Sequence, residues 1–233
     1  MERLVTKTKT IERKGVFDKN LKRRFELTFD CKEAEKKKSI LVIGLNPASE
    51  DISILDTTTT LILNNLIPMG YTTITICNLY GEVFKERLKP SEVSNNTENR
   101  NYLKEVIKRG FDTILLGYGN TFLTNKFVRE EKENLVRLLK EYKDKIVDIV
   151  DDVGEYERLK TIHPLMAGRY FPNRWKLRSF VFEEVKSKAK DKEHQKKIKM
   201  KSEKEEEKVK ISDDDEESSL DRDNQPVVST TAT

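Results

Sequence analysis

The chain of 233 residues carries 45 Lys and Arg against 41 Asp and Glu, a formal net charge of +4. Its two cysteines, Cys31 and Cys77, lie far apart and form no CxxC pair, which argues against a disulfide framework, a zinc site or an iron–sulfur cluster. No apolar run has the length of a membrane span, and the polar N-terminus lacks the apolar core of a signal peptide. We therefore expect a cytoplasmic protein that contacts no membrane.

The distribution of apolar and charged residues predicts a single domain with charged flanks. We expect a basic lead-in over residues 1–16, one domain over 17–186 and a low-complexity, disordered charged tail over 187–233. Residues 1–24 hold nine Lys or Arg against three acidic residues, and residues 186–210 hold eleven Lys against six. These basic segments fit a polyanionic partner, with nucleic acid first, or are simply lysine-rich segments that water solvates.

The predicted elements alternate between strands and helices along the chain. Strands are predicted over 24–29, 39–45, 72–77 and 112–116, and a short apolar stretch over 145–150 could be a further strand. Helices are predicted over 57–67, 98–108, 122–142 and 174–186. Asp56 is expected to cap the first helix and Asn173 the last, and the first two strands are expected to pair antiparallel. The alternation favours an α/β fold of three layers, α/β/α, with a central, mostly parallel sheet.

Polar side chains follow several of these strands at the point where each strand ends. Asn46 stands in the motif Gly44–Pro47 after the first buried strand, and Asn78 follows the next buried strand. The proline of this motif has no backbone N–H and disfavours a helix at the residue before it, so the strand ends there. Residues 117–120 and His163 occupy similar places later in the chain. Because ligands bind at the carboxyl edge of open α/β sheets, we expect Asn46, Asn78 and His163 to share one rim.

The three side chains suit the binding of a nucleobase and the cleavage of its bond to a sugar. Asn46 can orient a water, and Asn78 offers a donor and an acceptor that match the edge of a pyrimidine. A neutral His163 can stabilise the negative charge that forms on a departing base. In simpler alternatives, Asn46 only forms a turn, Asn78 only holds a loop in place, and His163 is a hydrogen-bonded histidine at the rim without a ligand. No phosphate-binding GxxxxGK[ST] or GxGxxG motif and no metal-ligand cluster occurs, so we expect no cofactor and no metal.

The order of these motifs resembles that of the uracil-DNA glycosylase superfamily. The matching stretches are Gly44–Pro47, Ile74–Asn78, Leu115–Gly117 and His163–Leu165. The resemblance implies a uracil-DNA-glycosylase-like fold, in which Asn46 positions the attacking water, Asn78 reads the base and His163 stabilises the leaving base. Leu165 stands where the superfamily has a serine that binds a backbone phosphate.

The same resemblance implies further residues that contact a substrate. Leu165 or Met166 would be the wedge that fills the gap left by a flipped base, although both are of a type more often found in a core. Tyr80 and Tyr118 are candidate stacking surfaces. The remaining predicted substrate-binding residues are Gly44, Pro47 and Arg169.

A closer resemblance, over about residues 17–178, is to the bacterial and phage domain-of-unknown-function family 1643. The residues that carry it are Leu45-Asn46-Pro47, Asp56-Thr57-Thr58, Cys77-Asn78-Leu79, Glu98-Asn99 and His163-Pro164-Leu165. That family has no settled activity, so this resemblance bears on the fold more than on the function.

Together these observations predict a nucleobase-recognising protein that hydrolyses an N-glycosidic bond in DNA or in a modified nucleotide. One alternative is a protein of the same fold that binds a nucleotide or nucleic acid without cleaving it. The other alternative is an interaction protein that acts through its charged tail.

Overall fold

The computed structural model describes residues 4–84 and 96–182, which form one seven-stranded sheet covered by helices. The strands are β1 Ile11–Phe17, β2 Arg24–Cys31, β3 Ser39–Gly44, β4 Thr73–Asn78, β5 Thr113–Leu116, β6 Ile146–Asp151 and β7 Trp175–Ser179. The helices are α1 Thr57–Leu66, α2 Thr97–Lys108, α3 Lys126–Leu139 and α4 Pro164–Tyr170. The tail predicted over 187–233 and residues 85–95 lie outside the described residues.

The sheet is mixed, with the strand order β1-β2-β4-β3-β5-β6-β7. The pairs β3–β4, β3–β5 and β5–β6 are parallel, whereas β1–β2, β2–β4 and β6–β7 are antiparallel. The α/β class is confirmed, but a mostly parallel sheet is not, since the antiparallel pairs are as numerous as the parallel ones. The predicted pairing of 24–29 with 39–45 is wrong, because β4 lies between β2 and β3.

Helices cover both faces of the sheet, and alternate side chains of β3 show this directly. Ile40 and Val42 belong to a hydrophobic cluster with α1 and α4, while Leu41 and Ile43 belong to a second cluster with α2 and α3. All four side chains are 0% exposed. This double burial explains why β3 reads as a continuous apolar run rather than as an alternating one.

Two helices begin where an acceptor side chain satisfies their first free N–H groups. Asp56 caps α1, as predicted, by accepting from the backbone N–H of Thr59 at 3.0 Å. Asn125 caps α3 in the same way, accepting from the backbone N–H of Val128 at 3.1 Å. Residues 121–124 form a turn, so α3 is shorter at its start than the predicted helix over 122–142.

β1 lies within residues that we expected to form a lead-in. It runs antiparallel to β2, from the pair Ile11 and Cys31 to the pair Phe17 and Arg24. An edge strand is held largely by backbone hydrogen bonds, so its sequence needs little apolar periodicity and gives only a weak signal.

The described part of the predicted helix over 174–186 holds the strand β7 at 175–179 and no helix, so the predicted Asn173 cap is wrong. β7 runs antiparallel to β6. Trp175 is buried and Leu177 packs with it against the α1 and α4 side of the sheet. The apolar residues at 175 and 177 have the two-residue spacing of a strand. Two positions are too few to predict a strand from the sequence, and the strand is recognised here by its pairing with β6.

Candidate functional site

A cavity of about 580 Å³ opens at the edge of the sheet where the parallel strands β3 and β5 end. Its wall comes from the chain after β3, from the loop after β5, and from the segment that runs from Leu159 into α4. The volume lies in the range of pockets that hold small molecules. The polar side chains in the wall are Asn46, Asn120, Thr121 and His163.

Asn46 lies two residues beyond the end of β3 and is half-buried. Its Nδ2 donates to the carbonyl oxygen of Pro47 at 3.1 Å, which fixes the orientation of the amide at the cavity wall. Among the described residues no donor to its Oδ1 is recorded. The amide therefore presents an acceptor, and a second N–H, to a molecule in the cavity.

His163 is the N-terminal cap of α4 and lines the same cavity. Its Nδ1 accepts from the backbone N–H of Leu165 at 3.2 Å. Burial lowers the pKa of His163, and the nearby carboxylate of Asp56 opposes that shift only in part. The imidazole is therefore neutral at pH 7, and because Nδ1 is an acceptor, the proton resides on Nε2. A neutral Nε2–H is a donor for a carbonyl oxygen or for a developing oxyanion.

The loop after β5 forms the side of the cavity next to His163. Gly119 has a φ of +74°, and a Cβ added there would lie 2.9 Å from the Cβ of His163. Its N–H donates to the carbonyl of Thr161 at 2.9 Å. Lys132 of α3 donates from Nζ to the carbonyls of Gly119 at 2.8 Å and Thr121 at 2.9 Å. The loop is thus held from both sides, and only glycine fits its closest approach to the histidine.

Lys132 is itself unusual, because it is a buried cation that contacts two backbone carbonyls and the ring of Tyr118, whose centroid is 5.2 Å from Nζ. It is 7% exposed, and burial lowers its pKa to about 8. The loop that lines the cavity is therefore held by an amine whose pKa lies well below the ordinary value of a lysine.

The apolar part of the cavity wall includes two aromatic side chains. Tyr170 is 41% exposed and stacks on Tyr156, with ring centroids 5.3 Å apart and planes at 13°. Phe122 lines the cavity from the loop after β5. Leu165 is 45% exposed and, with Met166, stands at the same wall. Such a wall accepts the face of a flat, unsaturated ring.

The structure brings Asn46 and His163 together at the cavity but places Asn78 outside its lining. Asn78 is 4% exposed and stands beside Gly44 on the neighbouring strand. A Cβ added at Gly44 would lie 2.6 Å from Asn78 Oδ1, so the amide packs directly over the glycine. Its Nδ2 is buried and has no hydrogen-bond partner among the described residues.

The remaining predicted substrate-binding residues do not line the cavity, with the exception of Leu165. Tyr80 and Tyr118 are buried in the cluster on the α2 and α3 side, and burial raises the pKa of Tyr118 to about 12. Arg169 is exposed on α4, and Pro47 is buried beside Asn46. Tyr80 and Tyr118 were candidates because of the resemblance to the superfamily, but a motif does not say towards which face of the sheet a ring turns.

Sequence reasoning missed the aromatic wall of the cavity and the role of Lys132. Tyr170 follows the motif that begins at His163, and that proximity was the one available signal. Nothing in the sequence around Lys132 distinguishes it from the exposed charged residues of the same amphipathic helix.

Asn99, a residue of the family 1643 pattern, joins the start of α2 to the end of β4. Its Nδ2 donates to the carbonyls of Asn78 at 3.1 Å and Leu79 at 3.0 Å. A Cβ at Gly81 would lie 2.9 Å from Asn99 Oδ1, so the close approach needs glycine. Asn99 therefore supports the backbone at the end of β4 rather than a ligand.

No helix in the described part of the chain combines the length and the hydrophobicity that a membrane span requires. Within the same residues, no group of three or more His, Cys, Asp or Glu side chains is arranged to hold a metal ion.

Searches of the curated proteins and of the solved structures found no match to this chain. A family model does match: the one described as "Protein of unknown function (DUF1643)", over residues 24–165. The matched region runs from the first residue of β2 to the first turn of α4 and contains both Asn46 and His163. The chain belongs to the DUF1643 family.

Proposed function

We propose that the cavity between β3, β5 and α4 binds a nucleobase as part of a nucleotide or of a nucleic acid. The observation that carries this proposal is that Asn46 and His163 line one cavity of about 580 Å³ together with Phe122 and Tyr170. A nucleobase is a flat ring with donors and acceptors on its edge, and this wall offers rings for the face and an amide and an imidazole for the edge.

The hydrogen-bond donors and acceptors of Asn46 and His163 limit which nucleobase edge can bind. Asn46 supplies an acceptor and a donor from one planar amide. His163 supplies a neutral donor, since its Nδ1 is occupied by the backbone N–H of Leu165. A ring that carries a carbonyl next to an N–H, as in uracil, thymine and guanine, satisfies these groups without an unpaired buried partner.

Hydrolysis of an N-glycosidic bond is a second candidate function, favoured by the presence of Asn46 and His163 at the same cavity. In that reaction Asn46 would orient a water towards the sugar carbon, while His163 Nε2–H would stabilise the departing base. The order of the motifs, which resembles the uracil-DNA glycosylase superfamily, supports this reading. The role of Asn78 as base reader remains a prediction, because its side chain lies against Gly44 and not in the cavity wall.

Binding of uncharged nucleosides tests the first candidate. We would titrate uridine, thymidine, guanosine and adenosine into the full chain and follow binding by calorimetry. Nucleosides carry no phosphate, so the lysine-rich segments and the charged tail cannot drive the binding. We expect at least one nucleoside to bind, and Asn46→Ala and His163→Ala each to weaken it about tenfold, or by about 1.4 kcal/mol.

Matched controls are Asn101→Ala, at an exposed position on α2, and His194→Ala, at the only other histidine. Both should bind like the unaltered chain. Absence of binding by every nucleoside, or equal binding by all variants, would contradict the proposed pocket.

Incubation with single- and double-stranded DNA that contains uracil tests the second candidate. Abasic sites, detected by alkaline cleavage, should appear with the unaltered chain and disappear with Asn46→Ala. Nucleoside binding without abasic sites would favour a binding protein, and activity that survives Asn46→Ala would contradict the assigned mechanism.

A further inference from the structure

Arg24, the first residue of β2, is a buried cation with an unused donor. It is 4% exposed, its Nη1 donates to the carbonyl of Ser49 at 3.0 Å, and its Nε is buried without any hydrogen-bond partner. Among the described residues, no carboxylate oxygen lies within 4.0 Å of the guanidinium of Arg24, so it forms no ion pair there. A buried charge is normally paired, because desolvation without a partner is costly. Arg24 therefore needs an explanation.

A β-bulge directs Arg24 towards the α1 side of the sheet. The register between β1 and β2 shifts so that Val16 opposes Glu26 while Phe17 opposes Arg24, which leaves Phe25 as the extra residue. Phe25 then stacks on Tyr102 of α2, with ring centroids 5.3 Å apart. Arg24 instead reaches Ser49, in the segment that leads to α1. The bulge thus buries this guanidinium on the α1 side of the sheet.

Asn78 supplies a second unused donor at the same edge of the same face. β4 is the neighbour of β2, and the backbone N–H of Arg24 donates to the carbonyl of Gly81 at 2.8 Å, just beyond Asn78. Asn78 shares a face of β4 with Ile76, which belongs to the cluster on the α1 side. The side chains of Arg24 and Asn78 therefore stand on adjacent strands, and such strands lie about 4.8 Å apart. Asn78 Nδ2 is also buried without a partner.

Among the described residues, Asp56 forms no hydrogen bond or ion pair with either of these donors. Asp56 accepts from the backbone N–H of Thr59 at 3.0 Å and from its hydroxyl at 2.7 Å, so its carboxylate is directed at the first turn of α1. Arg24 contacts Ser49 and Asn78 packs against Gly44, so the two side chains touch the chain on either side of Asn46, which lines the cavity. The unused donors therefore adjoin the segment 44–49, which contributes Asn46 to the cavity wall.

We propose that Arg24 and Asn78 form a phosphate subsite beside the cavity. A phosphate oxygen accepts several hydrogen bonds at once and carries the negative charge that a buried guanidinium lacks here. In combination with the proposed function, on which this part rests, the ligand is a nucleotide whose base enters the cavity and whose phosphate reaches Arg24. The bound phosphate can be inorganic phosphate or the phosphate group of a nucleotide, and the experiment distinguishes these two ligands.

The experiment compares three probes on the full chain: inorganic phosphate, uridine, and uridine 5′-monophosphate, at constant ionic strength. Binding is measured by calorimetry and by the shift in Tm. We expect phosphate to raise Tm, and the monophosphate to bind at least tenfold more tightly than the nucleoside. Arg24→Met and Asn78→Ala should each reduce the phosphate response, and Arg24→Met should abolish the preference for the monophosphate.

The matched control is Arg23→Met, which makes the same change in charge at the adjacent residue. Arg23 pairs with Glu82 and with Glu98, both at 3.1 Å, so its charge already has partners. The Arg23 variant should keep the full phosphate response. Arg24→Met should fold, because it replaces an unpaired buried charge by an apolar side chain of similar length; if it does not, Arg24→Lys takes its place and should weaken the phosphate response at least tenfold.

The outcomes separate this proposal from the proposed function. A phosphate response that survives both Arg24→Met and Asn78→Ala overturns the subsite, as does a monophosphate that binds no better than uridine. Uridine binding without any phosphate response leaves the nucleobase pocket standing and removes the subsite. A phosphate response that depends on Arg24, without nucleoside binding, supports the subsite and removes the nucleobase pocket.

Discussion

The side chain of Asn78 occupies the space that a Cβ on Gly44 would need. These two residues are register partners on β3 and β4, and an added Cβ would lie 2.6 Å from Asn78 Oδ1. The glycine of the motif Gly44–Pro47 is thus explained by its neighbour on the adjacent strand. It allows a polar side chain to lie flat over the end of the sheet, directly before Asn46.

Gly44→Ala should destabilise the protein by about 2 kcal/mol, because the new methyl group forces Asn78 out of its place. Urea unfolding would measure the change. Asn78→Ala in the same chain removes the clashing amide and should recover part of the loss, with a coupling of about 1 kcal/mol or more. Strict additivity of the two substitutions would show that the contact does not govern stability.

His163→Asn should remove a pH dependence of stability while keeping the helix cap, since asparagine is a good N-cap residue. Burial lowers the pKa of His163 below its ordinary value of 6.5, so the unfolded chain binds more protons between the two values. The stability that His163 contributes is therefore present above pH 6.5 and is lost as the pH falls through its folded-state pKa. Unfolding at pH 7.5 and at pH 5.0 should show a larger loss for the unaltered chain than for the variant. An equal loss in both would contradict a buried neutral imidazole.

Lys132 should make the protein more stable as the pH rises from about 8 towards 10.5. Its pKa is lowered to about 8 from an ordinary value of 10.5, so in this window the unfolded chain carries the extra proton. The neutral amine keeps N–H groups for the carbonyls of Gly119 and Thr121. The advantage of the unaltered chain over Lys132→Met should therefore grow between pH 7.5 and pH 9.5. Lys126→Met, at an exposed position on the same helix, is the control and should show no such growth.

Asp148→Asn should destabilise the protein by about 2 kcal/mol, since it leaves the partly buried guanidinium of Arg178 without its counter-charge. Asp148 is 1% exposed and accepts from Arg178 Nε at 3.0 Å and Nη2 at 2.8 Å. The same guanidinium donates from Nη1 to the carbonyl of Glu157 at 2.8 Å, and thereby holds the segment that leads to the cavity.

An exposed ion pair provides the comparison for Asp148. Glu133 and Arg137 are 3.4 Å apart on the surface of α3, and Glu133→Gln should cost at most about 0.5 kcal/mol. Thermal unfolding of both variants would measure the difference. Similar losses of stability in the two variants would show that burial of the ion pair between Asp148 and Arg178 adds nothing to the stability of the protein.

The sequence by itself determined those features that depend on local patterns. The apolar run of β3, the Asp56 cap of α1 and the place of Asn46 at the end of a strand all follow from residues close together in the chain. Asn46 and His163 were predicted to lie close together because each follows an element that was expected to end at the carboxyl edge of the sheet. They do line one cavity, although His163 caps a helix and does not end a strand.

The tertiary structure alone decided which elements pair and which way side chains turn. β1 and β7 form because β2 and β6 offer them backbone partners, and the apolar pattern within each segment is too weak or too short to predict a strand by itself. The rings of Tyr80 and Tyr118 turn into the α2 and α3 side, and a bulge turns Arg24 towards α1. Apolar periodicity reports that a residue is buried, but the partner that buries it comes from a distant part of the chain.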